Sequence, residues 1–549
     1  MSVAVVTGGA VGIGAAIAEE LGRAGVFVVT VDPGVAVDGS PGEGGTESTT
    51  AQRIVDAGGQ ARASNISVTD EDAVHTLFSD LAEEFGALDS VVNVAGISRP
   101  TGFAHGAEDD WRAVLSVHLD GYLNVLRAAL PLMTAAGHGR ILGVTSGSGW
   151  RAADAGAYSC AKRAVAALTW RIGRETPPGV TVNALSPIAA TRMVLGALAR
   201  AGASAGDSST GGVALGLASV PPPENLGPVG AYLAGETFSS WARGEIMFSN
   251  GAELAWVVPP RLLEVARTSE VGSLLAVLES FTGKVLAPAE AAQGSNGGGN
   301  PRLGTAFEAD AAEHGTSASS RAVIVTDVAR WGTSLTEALA AHGVECVAID
   351  APATTFAAAS EQLAATSASG PIDAVVVALA GAIDAVAGAV DPSSSSGWTG
   401  VLDEHAGVTE QIGNDAGWVR AVSDYAATAA RAVRVVSVVD ATTAGGRTRA
   451  QSAAQLSRVA RAATEERVEA FTLSVEASGE GAAIGEIVAH LVCDADAGAL
   501  SGAELAVGPD WFGLRSHPHP AASVSFGGPA VPEWVDGALQ QMVGVGGAV

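Results

Sequence analysis

A tyrosine and a lysine four residues apart are the side chains of this sequence best suited to chemistry. Tyr158 and Lys162 lie in the stretch AYSCAKRA, and the 549-residue chain contains only one other lysine, Lys284. Residues at this spacing share one face of a helix, so the ammonium can lie beside the phenol and favour the phenolate, lowering a pKa of about 10. The pair therefore predicts a proton donor or acceptor that works near neutral pH.

A glycine-rich turn near the start of the chain predicts a dinucleotide site. The sequence TGGAVGIG, residues 7–14, lies between a predicted strand and a predicted helix. Glycines in this pattern allow the backbone to approach a pyrophosphate, whose charge is met by the start of the helix. Asp32 ends the next predicted strand, where a carboxylate can bind both ribose hydroxyls and repel a 2′-phosphate. Because no arginine or lysine adjoins Asp32, the pattern favours NAD over NADP.

The elements that must position these residues follow a βαβ rhythm. Over the first 258 residues, short β-branched runs alternate with amphipathic segments rich in alanine and leucine, which is typical of a parallel sheet covered by helices. Residues 288–320 are rich in Gly, Ser, Asn and Ala without periodicity, so we interpret them as a flexible linker. The sequence therefore predicts a catalytic domain at 1–258, a connecting helix and linker at 259–320, and a second α/β domain at 321–549.

The order of the motifs resembles the classical short-chain dehydrogenase/reductase family over about residues 1–258. The TGxxxGxG turn, the sequence NVAG and the YxxxK pair match motifs of that family. The resemblance implies that Tyr158 exchanges the proton, Lys162 also bonds the nicotinamide ribose, and Ser146 stabilises the substrate oxyanion. It also implies that the cofactor is bound by Gly8, Gly12, Ile13, Gly14, Asp32, Asn65, Ile66, Asn93, Ala95, Gly96, Tyr158, Lys162, Pro187, Ile188 and Thr191.

One departure from the family concerns a proton relay. The sequence SVHLDG places His118 where the family usually has an asparagine that helps to hold a relay water. A neutral imidazole could replace that asparagine, and the rate would then depend on pH between about 6 and 7. Alternatively, His118 only satisfies a buried backbone carbonyl.

The second half resembles a decayed copy of the first. HGVECVAID parallels AGVFVVTVD, so that Asp350 matches Asp32, but the turn TDVARWG keeps only Gly332. Gln451 and Gln455 are interpreted as replacements for the tyrosine and lysine, and glutamine cannot exchange a proton near neutral pH. We therefore predict two Rossmann-like, doubly wound α/β domains in tandem, the second inactive, packed as an intramolecular pseudo-dimer. A homodimer of such pseudo-dimers stays open.

The implied activity is an NAD(H)-dependent interconversion of a secondary alcohol and a ketone. The insertion after Asp32, the VHL sequence and the segment MFSNGAELAWVVPP resemble the dehydrogenase part of peroxisomal multifunctional enzymes, which oxidise 3-hydroxyacyl-CoA thioesters. Arg99, Arg151 and Arg192 are the candidate contacts for such an ester, and hydroxysteroids are an alternative substrate class. A non-catalytic dinucleotide sensor or scaffold is the alternative from a different class.

Composition excludes several other classes. The net charge is −28, from 30 basic and 58 acidic residues, so neither nucleic acid nor an anionic membrane is an expected partner. Three cysteines without CxxC spacing predict neither a disulfide framework nor a metal site. The N-terminus lacks a basic leader and no apolar run reaches membrane-spanning length, which predicts a cytoplasmic protein.

Overall fold

The computed structural model describes residues 1–42, 49–152, 154–196, 220–267, 319–380, 397–477 and 481–544. Two mostly parallel sheets form the framework, one in each half of the chain. The strands are β1 (Val3–Thr7), β2 (Phe27–Val31), β3 (Gln60–Ser64), β4 (Ser90–Asn93), β5 (Gly139–Val144), β6 (Val180–Pro187), β7 (Ile246–Ser249), β8 (Glu253–Val258), β9 (Leu262–Arg267), β10 (Arg321–Thr326), β11 (Glu345–Ile349), β12 (Ala374–Ala378), β13 (Val433–Asp440), β14 (Val468–Val475), β15 (Glu504–Val507), β16 (Trp511–Arg515) and β17 (His519–Ser525).

Helices cover these sheets. They are α1 (Gly12–Arg23), α2 (Thr50–Asp56), α3 (Glu71–Phe85), α4 (Glu108–Leu115), α5 (Gly121–Ala136), α6 (Gly156–Glu175), α7 (Gly227–Leu233), α8 (Glu236–Ser239), α9 (Ala329–Ala341), α10 (Phe356–Ser367), α11 (Trp398–Asp403), α12 (Val408–Ala429), α13 (Ala444–Ala463), α14 (Gly481–Cys493) and α15 (Trp534–Val543). A π-helical turn, Ser116–Asp120, joins α4 to α5. Within the described residues, none of the helices combines the length and apolar character that crossing a membrane requires.

The first sheet runs in the order β3-β2-β1-β4-β5-β6-β7-β8-β17 and is parallel from β3 to β7. The chain reverses direction across the sheet between β1 and β4, which is the point where doubly wound sheets bind ligands beyond the carboxyl ends of their strands. Every residue of β1 is buried, as expected for a strand covered by helices on both faces.

The second sheet repeats this arrangement in the order β11-β10-β12-β13-β14-β15-β16-β9. Its register also repeats that of the first, because Val3 pairs with Phe27 in one sheet and Arg321 with Glu345 in the other. The predicted tandem pair of Rossmann-like sheets is therefore confirmed.

Each half donates an edge strand to the other half's sheet. Strand β9, from the first half, pairs antiparallel with β16, while β17, from the second half, pairs antiparallel with β8. The sequence predicted a connecting helix and a flexible linker within 259–320, but residues 262–267 of this segment form a strand. The remainder, 268–318, lies outside the described residues. The exchange also covers two sheet edges that would otherwise expose unpaired backbone groups.

The two halves meet through helices, as predicted for an intramolecular pseudo-dimer. Helix α6 packs along α13, and α4 contacts α12. The Ser452 hydroxyl donates to the backbone oxygen of Cys160 at 3.0 Å, and the rings of Trp111 and Phe356 lie 6.1 Å apart. One continuous apolar cluster includes Leu168 of the first half and Val459 of the second, so the interface is part of the hydrophobic core.

Candidate active site

Strand β5 and helix α6 bring three of the predicted catalytic residues together. Ser146 follows the carboxyl end of β5, while Tyr158 and Lys162 lie on the first two turns of α6. Lys162 is 4% exposed, its Nζ donates to the backbone oxygen of Val144 at 2.7 Å, and it lies 5.7 Å from the centre of the Tyr158 ring. The arrangement gathers a hydroxyl, a phenol and an amine at one sheet edge.

Burial sets the charge state of this group. It raises the pKa of Tyr158, a shift that a hydrogen bond with Ser146 opposes, and it lowers the pKa of Lys162 to about 7. The sequence led us to expect a lowered tyrosine pKa, and in this structure the direction is the reverse. The reason is that removing the phenolate from water costs more than the neighbouring groups return.

His118 lies beside the phenol, but its pKa does not fall between about 6 and 7, as a pH-dependent relay through this ring would require. Its ring packs edge-on against Tyr158 with 5.1 Å between centroids, and its Nε2 lies 2.8 Å from the backbone oxygen of Ile97. Burial and the positive charge of Lys162 hold the His118 pKa well below its ordinary value. The imidazole is therefore neutral at physiological pH, and a rate change near pH 6 to 7 due to His118 is not expected. The alternative of a satisfied backbone carbonyl matches the geometry.

The other nitrogen of this ring is an unused acceptor. With Nε2 donating to Ile97, Nδ1 carries a lone pair, and it has no hydrogen-bond partner among the described residues although it is fully buried. A Cβ on Gly96 would lie 2.3 Å from Cε1 of His118. The glycine of the NVAG motif thus makes room for this imidazole.

The glycine turn has the shape that a diphosphate needs. Gly8 and Gly12 have φ values of +63° and +59°, in the left-handed region that favours glycine. A Cβ on Gly14 would lie 2.2 Å from the backbone oxygen of Gly8, and one on Gly12 would lie 3.7 Å from the methyl group of Thr191. The turn is therefore a cradle that side chains would fill, and its residues fit a dinucleotide.

Asp32 lies at the edge of this cradle with its carboxylate held in place. Its Oδ1 accepts from the backbone of Gly34 at 2.9 Å and its Oδ2 from Ala10 at 3.3 Å. Asn65 and Ile66 follow β3, the neighbouring strand, with Asn65 exposed and Ile66 partly buried. These three residues therefore share the end of the groove where an adenosine ribose and base would lie.

Several other residues that were predicted to bind the cofactor make contacts within the sheet and the core. Asn93 accepts a hydrogen bond from the Thr7 hydroxyl at 2.7 Å, and that hydroxyl accepts from the backbone of Ala95 at 3.2 Å, so they tie β1 to β4. Ile13 packs against a core cluster of the first half. Pro187 ends β6, and the Ile188 backbone donates to Ser249 at 2.9 Å.

The three candidate arginines have different surroundings. Arg99 is paired with Asp110 at 3.1 Å, whereas Arg192 is exposed. Arg151 is partly buried beside the serine loop, since a Cβ on Gly147 would lie 3.2 Å from its Nε. Burial lowers the Arg151 pKa. Of the three, only Arg151 lies against the loop that carries Ser146.

A residue of the second half supports this loop, and sequence reasoning missed it. Gln455 on α13 donates to the backbone oxygens of Ser148 at 3.2 Å and Arg151 at 2.8 Å. It also accepts from Arg163 of α6 at 3.2 Å. Arg163 further bonds Gln451 at 3.0 Å and Glu504 at 2.7 Å within the buried interface. No local signal in AQSAAQLS distinguishes this role from that of a decayed motif.

The interpretation of Gln451 and Gln455 as the tyrosine and lysine replacements is therefore wrong. Helices α6 and α13 are both 20 residues long, and the same interval separates each from its following strand. Tyr158 and Lys162 are the third and seventh residues of α6, and the corresponding residues of α13 are Gly446 and Ala450. The two glutamines lie five positions further on, where they face the first half.

At the carboxyl edge of the second sheet, a closed ion pair takes up the space. Arg449 binds Asp415 through two bonds of 2.6 and 2.7 Å, and it donates to the backbone oxygens of Leu379 and Ala380, which follow β12. Both charged residues are at most 4% exposed. Trp331, in the second glycine-turn region, is buried in the apolar core. The part of this edge that follows β12 is therefore filled by structural contacts.

Comparison of the sequence with known proteins identifies relatives of the first half. A family model described as short chain dehydrogenase matches residues 2–197. The short-chain reductase protein NovJ of Streptomyces niveus is 39% identical over 195 residues, which is 35% of this chain and 71% of that protein. Cis-4-hydroxycyclohexanecarboxylate dehydrogenase of Sinomonas cyclohexanicum is 40% identical over 34% of this chain and 72% of its own. A peroxisomal hydratase-dehydrogenase-epimerase of Neurospora crassa is 32% identical over 35% of this chain and 21% of its own.

One solved structure resembles both halves at once. The N-domain of a bacterial malonyl-CoA reductase, solved with NADP, covers 92% of this chain and 97% of that chain with a TM-score of 0.64 and 15% sequence identity. At this identity the likeness concerns the fold alone. It shows that the two-sheet arrangement is a recurring architecture.

Proposed function

This chain belongs to the short-chain dehydrogenase family, and on that premise we propose that it interconverts a secondary alcohol and a ketone with NAD(H). The observation that carries the proposal is the convergence of Ser146, Tyr158 and Lys162 beside a glycine turn shaped for a diphosphate. When bound, NADH would supply the hydride for reduction of the ketone, and NAD⁺ would accept it during oxidation of the alcohol. The second domain is proposed to be an inactive relative of the first. The domains lie near 1–258 and 321–549, except that β9 belongs to the second sheet and β17 to the first.

The chain's own residues then divide the proton chemistry. Tyr158 donates its proton to the carbonyl oxygen during reduction and recovers it during oxidation. The Ser146 hydroxyl donates to the same oxygen and stabilises its developing charge. Lys162, whose pKa burial lowers to about 7, stabilises the phenolate electrostatically in its protonated form. In the tautomer in which Nε2 of His118 donates to Ile97, the free Nδ1 can accept a hydrogen bond from a relay water beside Tyr158.

We further propose that the substrate is a 3-hydroxyacyl thioester or a related secondary alcohol. Two observations support this class: the similarity to a peroxisomal hydratase-dehydrogenase-epimerase, and a partly buried guanidinium, Arg151, beside the Ser146 loop. Hydroxysteroids and cyclic alcohols are the comparison substrates for a screen.

A cofactor titration tests the proposal directly. We expect one NADH per chain, weaker NADPH binding, and a 10- to 100-fold loss of NADH affinity in Asp32→Ala, since a hydrogen bond to a charged group contributes about 1.5–3 kcal/mol. Cofactor fluorescence measures each affinity and stoichiometry. Asp38→Ala is the matched control, because Asp38 is a nearby acidic residue whose carboxylate bonds Ser40. Two NADH per chain, or unchanged affinity in Asp32→Ala, would contradict the assignment.

A further inference from the structure

A cavity of about 260 Å³ opens between the two halves and is not lined by Ser146, Tyr158 or Lys162. One wall is the C-terminal part of α6, and the opposite wall is the N-terminal part of α13. Its floor includes residues at the carboxyl ends of β13 and β14, among them Ala441 and Glu476. The cavity thus lies at the edge of the second sheet where parallel sheets commonly bind ligands.

Four arginine side chains line this cavity although the protein as a whole is strongly acidic. Arg171, Arg174, Arg447 and Arg515 line it, together with only two carboxylates, Glu476 and Glu504. Glu476 is paired with Arg515 at 2.6 Å, and Glu504 is paired with Arg163 at 2.7 Å. Arg171 is paired with Glu175 at 3.0 Å. The lining arginines without an ion-pair partner among the described residues are therefore Arg174 and Arg447, in a chain whose acidic residues outnumber its basic residues 58 to 30.

Two of these arginines have donors to spare. Among the described residues, Arg174 makes no hydrogen bond or ion pair, while Arg447 reaches only the backbone oxygens of Ala441 and Thr442, at 3.3 and 3.4 Å. Burial lowers the Arg447 pKa, and the positive charges of Arg171 and Arg515 act in the same direction, whereas the carboxylates of Glu404 and Glu476 oppose the shift. An anion between these guanidinium groups would relieve their mutual repulsion.

We propose that this cavity binds a small organic dianion, either a phosphate ester or a dicarboxylate. Guanidinium groups bind both kinds of anion through paired hydrogen bonds. The volume lies below the range of about 300–1,000 Å³ typical of drug-sized ligand pockets, so the occupant is smaller than a dinucleotide. Gln451 and Glu504 line the cavity and also bond Arg163, so an occupant would touch the network that reaches the Ser146 loop.

Calorimetric titration of the full-length protein with pyrophosphate and with succinate, at fixed ionic strength, tests this site. Each titration is repeated with saturating NADH, because the glycine turn of the first half is a second place where a diphosphate could bind. We expect one binding event that persists with NADH and weakens at least about tenfold in the double variant Arg174→Gln/Arg447→Gln. Preference for pyrophosphate would identify a phosphate site, and preference for succinate a dicarboxylate site.

Arg461→Gln is the matched control, because Arg461 lies on α13 but pairs with Glu466 away from the cavity. The affinity of the Arg461→Gln variant for the preferred probe should equal that of the wild-type protein. The inference is overturned if neither probe binds, if NADH displaces all binding, or if the double variant binds like the wild type. Failure of NADH itself to bind would refute the proposed function but leave the comparison of variants decisive for the cavity.

Discussion

The carboxyl edges of the two sheets are built on the same plan and differ in how their polar groups are satisfied. At the first edge, Tyr158 and Lys162 lie where burial disfavours their charged forms, and the Nδ1 of His118 has no partner among the described residues. At the second edge, Arg449 and Asp415 neutralise each other through two short bonds. The part of an edge that is available for chemistry keeps polar groups incompletely paired, whereas the part beyond β12 closes them into a network.

The two halves also contribute differently to their interface. Helix α13 has lost any tyrosine and lysine at the corresponding positions, yet through Gln455 it holds the loop that carries Ser146. The second half thus contributes to the first site by supporting the backbone. Fusion of the halves makes this support intramolecular, so no second chain is needed to provide it.

Of the variants that distinguish the two sheet edges, the one that removes the Tyr158 hydroxyl should change kcat most. Tyr158→Phe is expected to lower kcat by about 100- to 10,000-fold, the range that a positioned proton donor contributes. Steady-state turnover with the best secondary alcohol measures the loss, and NADH binding should change little because the ring stays in place. Tyr425→Phe, in the second half, is the control and should keep full turnover. Retention of activity by Tyr158→Phe would place the proton donor elsewhere.

Breaking the ion pair at the second edge should affect stability and not chemistry. Arg449→Met is expected to lower the free energy of unfolding by about 3–5 kcal/mol, because it leaves the buried Asp415 carboxylate unpaired. The double variant Asp415→Leu/Arg449→Met should recover most of this loss. Denaturant unfolding followed by circular dichroism measures both, and kcat of the folded protein should be unchanged. A selective loss of kcat without a loss of stability would mean that this edge takes part in the reaction.

The smallest expected change in kcat follows from removing the hydrogen bonds that Gln455 makes across the interface. Gln455→Leu removes two hydrogen bonds to the loop after Ser146 and should lower kcat by about 2- to 10-fold, with little change in KM, since each net hydrogen bond contributes about 0.5–1.5 kcal/mol. Gln451→Leu is the matched control, because Gln451 bonds Arg163 but not the loop. Equal effects of the two variants on kcat would show that Gln455 acts through Arg163, which both glutamines bond, and not through the loop.

Much of the fold and the makeup of the first site could be predicted from the sequence. The βαβ rhythm, the turn at 7–14 and the YxxxK spacing are local patterns, and local backbone geometry turns them into strands, a cradle and a shared helix face. The strand exchange could not be predicted in the same way. Strands β9 and β17 each pair with a strand of the other half, and these partner strands lie more than 200 positions away in the sequence.

The sequence by itself determined which residues are available for chemistry and that the chain contains two similar α/β halves. Tertiary structure alone decided the charge states of Tyr158, Lys162 and His118, because desolvation depends on what packs around each group. It also decided that Gln455 belongs to the interface and that Gly446 and Ala450 occupy the positions of the missing pair. These outcomes depend on contacts between residues hundreds of positions apart, which no local pattern encodes.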